Sequence, residues 1–168
     1  GQISTLISMG LVQSYNEIDK AISTYTEALQ LARNLNQLNE VITILNNLGE
    51  CYQDLFDMEQ AMVIHQEALG LAQQAQYRVI QADLYRNIGM ELTFLGRPEA
   101  AMPNLTQALQ MSREINDVDV EAQTLYSLAL AEAAQGNGAK SELYARELQD
   151  LANRNNSDRY RARALYAL

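Results

Sequence analysis

The sequence predicts an all-α chain, a solenoid of stacked antiparallel helix pairs. Three observations lead there. The chain aligns with itself when shifted by 40 residues, apolar residues within each interval recur at three- and four-residue steps, and turn residues return at one place in every interval. Only 8 Gly and 2 Pro punctuate the chain, fewer than a β-rich protein of this size needs for its turns. At 168 residues, 48% hydrophobic and 20% charged, the composition is that of an ordinary globular protein with enough chain to bury a continuous core.

The repeat shows as columns. Ala28, Ala68 and Ala108 stand in EALQLAR, EALGLAQ and QALQMSR, and ELQDLAN follows with Leu148 in the same slot. Asn36, Gln76, Asn116 and Asn156 form a second column, and Asn16, Phe56, Gly96 and Gly136 a third. Self-similarity at such a period is the mark of a repeat architecture, in which one unit cannot bury its apolar face without a neighbour. Ile42, Leu45, Leu48, Tyr52 and Leu55 trace one buried helix face, and Ala61, Ile64, His65, Ala68, Leu69 and Ala72 trace the next.

Between the two runs of each unit lies a short reversal: Asn16-Glu17, Phe56-Asp57, Gly96-Arg97-Pro98 and Gly136-Asn137-Gly138. Asn and Gly tolerate the left-handed backbone that ends a helix, and Phe56 is the odd member. Pro98 suits the first turn of the following helix, and Asp57 and Asn137 are expected N-caps. The units therefore fall at about 2–36, 38–76, 78–116 and 118–154, with a fifth first helix begun over 157–168, in one continuous domain. Leu165-Tyr166-Ala167-Leu168 repeats Leu125-Tyr126-Ser127-Leu128, so the sequence stops inside a repeat and is expected to be a piece of a longer chain. Gly49, Gly89 and Ala129 on first helices, with Ala61, Ala101 and Ala68 on second helices, permit close approach of the helix axes. Pro103 falls inside a predicted helix, lacks the hydrogen bond to Glu99, and is expected to bend it.

These features resemble the tetratricopeptide repeat family over essentially the whole chain. The family pattern is clearest in Leu48-Gly49, Tyr52, Ala61 and Ala68, and again in Ile88-Gly89, Leu92, Ala101 and Ala108. The fourth unit departs from it with Glu132 in the Tyr slot and Leu148 in the last Ala slot, and the first has Met9 where Gly is usual. The 40-residue period is similar to the subclass in bacterial regulatory and peptide-sensing proteins and in kinesin light chain. The resemblance implies a right-handed superhelical solenoid of about four units plus a truncated fifth first helix. It also implies a concave groove lined by first helices. Carried over by position, that groove takes Ile3 and Leu6 from the first unit, and Thr43, Asn46, Asn47, Glu50, Gln53 and Asp54 from the second. Asp83, Arg86, Asn87, Met90 and Phe94 follow from the third, and Gln123, Tyr126 and Leu130 from the fourth. Asn46, Asn47 and Asn87 can bracket an extended peptide backbone, since each amide both donates and accepts. They can equally be solvated helix polars. The clamp by which chaperone-binding members hold a terminal carboxylate is not matched: its slots hold Leu6, Gly10, Asn47, Asp83 and Asn87, and only Asn47 agrees.

Charge narrows the partners. The net charge of −9 disfavours nucleic acid and anionic membranes, both of which demand a basic footprint. Cations are sparse before residue 85, while Arg154, Arg159, Arg161 and Arg163 gather at the end, where a solvated helical face is the plain reading and a phosphate grip the sharper one. Cys51 stands alone, which suits a reducing, cytoplasmic setting, and no apolar run approaches the roughly 18 residues of a membrane span. His65 is the one histidine, placed on a buried helix face, and Cys51 is expected to be buried and inert. No phosphate loop, metal-ligand set or nucleophile–base pair is present in the sequence, so neither an enzyme nor a cofactor or metal site is expected. The expected function is a protein- or peptide-binding scaffold. The competing readings are self-association and a sensory segment of a larger bacterial signalling or transcription-regulatory protein. The first of these is motivated by the nearly all-apolar helix that holds Leu125, Tyr126, Leu128 and Leu130, and by the interrupted fifth unit, which is expected to leave a C-terminal repeat face exposed for a second copy.

Overall fold

A computed structural model describes residues 1–167, the last of them by its backbone alone; the expectation for Leu168 lies outside the described residues. Nine helices form among the described residues. They are α1 (Gln2–Ser14), α2 (Ile18–Asn34), α3 (Leu38–Asp54), α4 (Met58–Gln74), α5 (Arg78–Phe94), α6 (Pro98–Ile115), α7 (Val118–Ala134), α8 (Gly138–Arg154) and α9 (Asp158–Ala167). The chain divides within α5 into two compact units, the first ending at Leu84 and the second beginning at Tyr85.

In the first unit, α1 packs on α2 and α3 on α4, and α2 packs on α3. Tyr25, Ile42, Ile44, Leu45 and Leu84 are its largest fully buried apolar side chains, and Ala21, Ala28, Ala61, Ala68 and Ala72 have no exposed surface. Small residues on the second helices thus let the backbones close up. Fit at one position is set by complementary size. His65 covers Gly49 so closely that a Cβ there would fall 2.6 Å from its Cε1, and Tyr25 covers Gly10 in the same way, at 2.6 Å from its Cε1.

In the second unit, α7 is packed by α6, α8 and α9. Leu125, Leu128, Ala122, Ala129 and Ala131 are all buried, together with Thr124, Ser127 and Glu132. Most of the apolar surface of α7 is therefore buried inside the unit, with Tyr126 and Leu130 left half-buried. Leu105 covers Gly89, leaving a Cβ only 2.5 Å from its Cγ, while Ala145 replaces the bulky residue where Ala129 replaces the glycine. Helix α6 runs unbroken through Pro103, which lies on its exposed face. The residue is six positions into the helix and removes one bond, so the helix continues.

Seven turns share one geometry. Asn36, Phe56, Gln76, Gly96, Asn116, Gly136 and Asn156 all adopt positive φ, between 49° and 76°. At each, two backbone bonds close the helix end, as in Phe56 N–H to Gln53 O at 2.9 Å and Asp57 N–H to Tyr52 O at 2.9 Å. This is the Schellman closure, which satisfies carbonyls that the last turn leaves open. The first turn differs: Asn16 is absent from the left-handed set, and Glu17 N–H bonds Gln13 O instead. Asp57 caps α4 through Oδ1, which accepts from Gln60 N–H at 3.1 Å, and Asp117 caps α7 by the same bond from Val120 N–H at 3.0 Å. Asn137 occupies the cap position of α8 but makes no side-chain cap; its Nδ2 donates to Glu132 Oε2 at 2.7 Å.

Candidate partner-binding face

The first-helix face of the first unit is built on α3. Asn46 is nearly buried, at 6% exposure, and its Nδ2 donates to Glu50 Oε1 at 3.2 Å, one turn along. Its backbone carbonyl lies 3.1 Å from His65 Nε2; a carbonyl only accepts, so that ring nitrogen carries the proton. Asn47 is half-buried and hydrogen-bonds the Tyr25 phenol. Burial first, and then the neighbouring Cys51 and Glu50, push that phenol up to about 12, with the Asn47 bond acting the other way. Burial also pushes the Cys51 thiol up to about 11, helped by Asp54 and Glu50, so the thiol is inert. Gln53 is half-buried two turns beyond Asn46, and Asp83 is half-buried on the part of α5 that belongs to this unit.

The corresponding face of the second unit begins on α5. Arg86 is 6% exposed, and Asn87 has no exposed surface at all. Met90 is half-buried and its sulfur accepts from Ser127 Oγ at 3.7 Å, which ties α5 to α7. Tyr126 and Leu130 on α7 are half-buried, while Phe94 at the end of α5 is 55% exposed. Leu130 also lines a cleft of about 590 Å³ with Ala129, Ala133, Ser141, Glu142 and Tyr166. In the first unit a cleft of about 440 Å³ lies elsewhere, lined by Arg33, Asn36, Leu38, Val41, Glu67 and Leu71.

Tyr25, which holds Asn47 from α2, escaped the sequence reading, while His65, expected on a buried helix face, holds the Asn46 carbonyl from α4. Glu132 is buried at 3% exposure, held by Asn137 and by Lys140 at 3.7 Å. The arginines near the end separate into distinct roles. Arg161 pairs with Asp158 at 2.6 Å and Arg159 with Asp119 at 3.9 Å, while Arg163 is half-buried. Burial and then the positive charges of Arg159 and Arg86 lower the Arg163 pKa.

The tetratricopeptide repeat profile matches residues 40–114. Solved structures superpose over nearly the whole chain. The apo form of RapI matches with a TM-score of 0.90 at 18% identity, covering 97% of this chain and 60% of that one. A Rap protein complexed with competence and sporulation factor gives 0.88 at 18%, over 98% of this chain and 47% of its own. Aspartyl phosphate phosphatase F from Bacillus subtilis gives 0.87 at 14%, over 99% and 45%. At these identities the likeness is one of fold, and the chain spans only about half to three fifths of those proteins. With the repeat columns, the helix pairs and these matches together, the chain has an all-α fold of antiparallel helix pairs like that of the Rap proteins, and its residues 40–114 match the tetratricopeptide repeat.

Proposed function

We propose that the chain is a protein- or peptide-binding scaffold whose first helices present the working surface. The observation that carries this reading is an asymmetry between the helices of a pair. The second helices give their repeat columns to alanines without exposed surface, such as Ala61, Ala68, Ala101 and Ala108. The first helices instead hold half-buried side chains of mixed chemistry: Asn47, Glu50 and Gln53 in one unit, Met90, Tyr126 and Leu130 in the other. Half-buried, pre-positioned polar and apolar groups suit recognition, because little rotamer freedom remains to be lost on binding. The Rap protein complexed with competence and sporulation factor has the same fold, which adds support.

Asn46 and Asn87 act in this reading by ordering the face, since both are held by the protein interior. Contact falls to Asn47, Glu50, Gln53 and Asp83 in the first unit and to Met90, Phe94, Tyr126 and Leu130 in the second, with Arg86 at the margin. Binding without catalysis fits the placement of His65 and Cys51 in packing roles. Among the described residues no helix is long and apolar enough to cross a membrane. A cytoplasmic setting, partners other than nucleic acid, and a single continuous array belong to the same proposal.

The test is selection of random peptides on the wild-type chain, followed by binding to Gln53→Ala and to a Met90→Ala, Tyr126→Ala double variant, each checked for unchanged helicity. Loss of binding by either variant locates the surface; equal binding by both moves it to the second-helix side. Self-association is the second reading, favoured by Leu165 and Tyr166, which are 70% and 83% exposed on α9. Sedimentation of wild type and Leu165→Asp separates the two: a concentration-dependent dimer abolished by the substitution supports it.

A further inference from the structure

The cleft of about 440 Å³ in the first unit lies at the α2–α3 turn, against the second half of α4. Leu38, Val41 and Leu71 give it an aliphatic lining, and Asn36 completes it. Arg33 and Glu67, both about half exposed, meet across it at 2.5 Å from Nη2 to Oε1. Each lining residue has a counterpart 80 residues on, inside the second unit: Arg113, Asn116, Val118, Glu121, Glu147 and Leu151. The backbone repeats as well, with Asn36 at φ 52° and Asn116 at φ 57°. Five of the six pairs keep their chemistry. The exception is Val41, which corresponds to Glu121.

That exchange changes what the arginine holds. In the second unit Arg113 takes two carboxylates: its Nε donates to Glu121 Oε1 at 2.9 Å, and its Nη2 donates to Glu147. In the first unit Arg33 donates from Nη2 to Glu67, the counterpart of Glu147, while Val41 offers the Nε side nothing. A guanidinium has five N–H donors, so the pair with Glu67 does not exhaust Arg33. Nor does the charge of Glu67 exclude a second carboxylate, because Arg113 holds two in the same arrangement.

We propose that this cleft binds a small apolar monocarboxylic acid. Its carboxylate takes the place beside Arg33 that Glu121 takes beside Arg113, and its hydrocarbon lies on Leu38, Val41 and Leu71. The cleft has the volume of a small-molecule site. A hydrocarbon asks no hydrogen bond of three aliphatic side chains. A single negative charge suits a chain whose net charge of −9 repels polyanions. The site is independent of the reading of the first helices as a binding face, and its failure would leave that reading untouched.

Octanoate is the test ligand, with octanamide lacking the charge and acetate lacking the hydrocarbon. Each is titrated into the isotope-labelled chain and followed by backbone amide shifts. Octanoate should move the amides of residues 36–41 and 67–71 and bind about tenfold more tightly than octanamide or acetate. Arg33→Gln should lower octanoate to the level of octanamide, and Glu67→Gln, which removes the competing carboxylate, should tighten it. Val41→Glu installs the group found at Glu121 and should abolish binding; should that buried substitution unfold the chain, the half-exposed Arg33→Gln decides alone. Octanamide or acetate binding as tightly as octanoate overturns the proposal, as does an acid preference that survives Arg33→Gln. An N-acetylated peptide ending in leucine that binds tenfold more tightly than octanoate, and loses this on amidation, overturns the free acid in favour of a chain terminus.

Discussion

His65 and Gly49 show how much one residue decides in a repeat core. The imidazole has no exposed surface and is held by the Asn46 carbonyl, so it cannot swing away from a new methyl group. Gly49→Ala should therefore destabilise the chain by about 1–3 kcal/mol despite the better helix propensity of alanine, as measured by urea denaturation. Gly70 is the control. Nothing lies within 4 Å of a Cβ there, so Gly70→Ala should stabilise by about 0.5–1 kcal/mol. If both substitutions acted alike, the packing account of Gly49 would be wrong. Phe56 presents the opposite case, a bulky residue at φ 59° whose ring is 78% exposed and gains little from packing. Phe56→Gly removes the left-handed penalty and should raise the thermal midpoint, by roughly 0.5–1 kcal/mol of stability.

At the scale of the element, the helix boundaries were legible because turn chemistry and apolar period agree. The column of Asn36, Gln76, Asn116 and Asn156 announced one set of stops, and Phe56, Gly96 and Gly136 the other. Asn16 belonged to the same column and misled, since its turn closes through Gln13 without a left-handed residue. Asn137 misled for a related reason. Its cap position was legible, but the nearby buried Glu132 competes for the amide, and only the fold reveals that Glu132 needs it. The two caps should accordingly fail differently. Asp57→Ala loses one capping bond to Gln60 and should cost about 1 kcal/mol. Asn137→Asp would set a second carboxylate against Glu132, and should cost more at low ionic strength than at 1 M salt, where screening weakens the repulsion. Denaturation midpoints at the two salt concentrations decide it; equal losses would show that the Asn137–Glu132 contact does not matter.

For the molecule as a whole, stability should depend on alkaline titration. Tyr25 and Tyr160 are raised from 10.0 to about 12, both chiefly by burial, and Cys51 from 9.0 to about 11. The folded chain therefore holds these protons more tightly than the unfolded chain. Their contribution is fully present below pH 9 and disappears as pH rises through 11 and 12. Urea midpoints should be level up to about pH 9 and fall steadily above it. Tyr25→Phe should flatten that fall, and an unchanged slope would exclude the Tyr25 phenol as a source. At this scale the sequence was legible in its period and far less so in its surface. A column tells which helix a residue stands on, but Asn87 and Met90 lie three residues apart on one helix, and one is sealed while the other is half open. That difference comes from the neighbouring helices, which a one-dimensional pattern does not contain.

The left-handed positions recur at a constant spacing from Asn36 to Asn156, which makes each stretch between alternate stops a self-contained block. The segment 37–76, for instance, brings a complete helix pair together with both of its own closures. Unequal crossing-over between such blocks lengthens or shortens an array without creating an unfamiliar junction. Array length is then free to drift in descent while local geometry stays put, and the reach of the binding surface can evolve independently of the chemistry of any one pair.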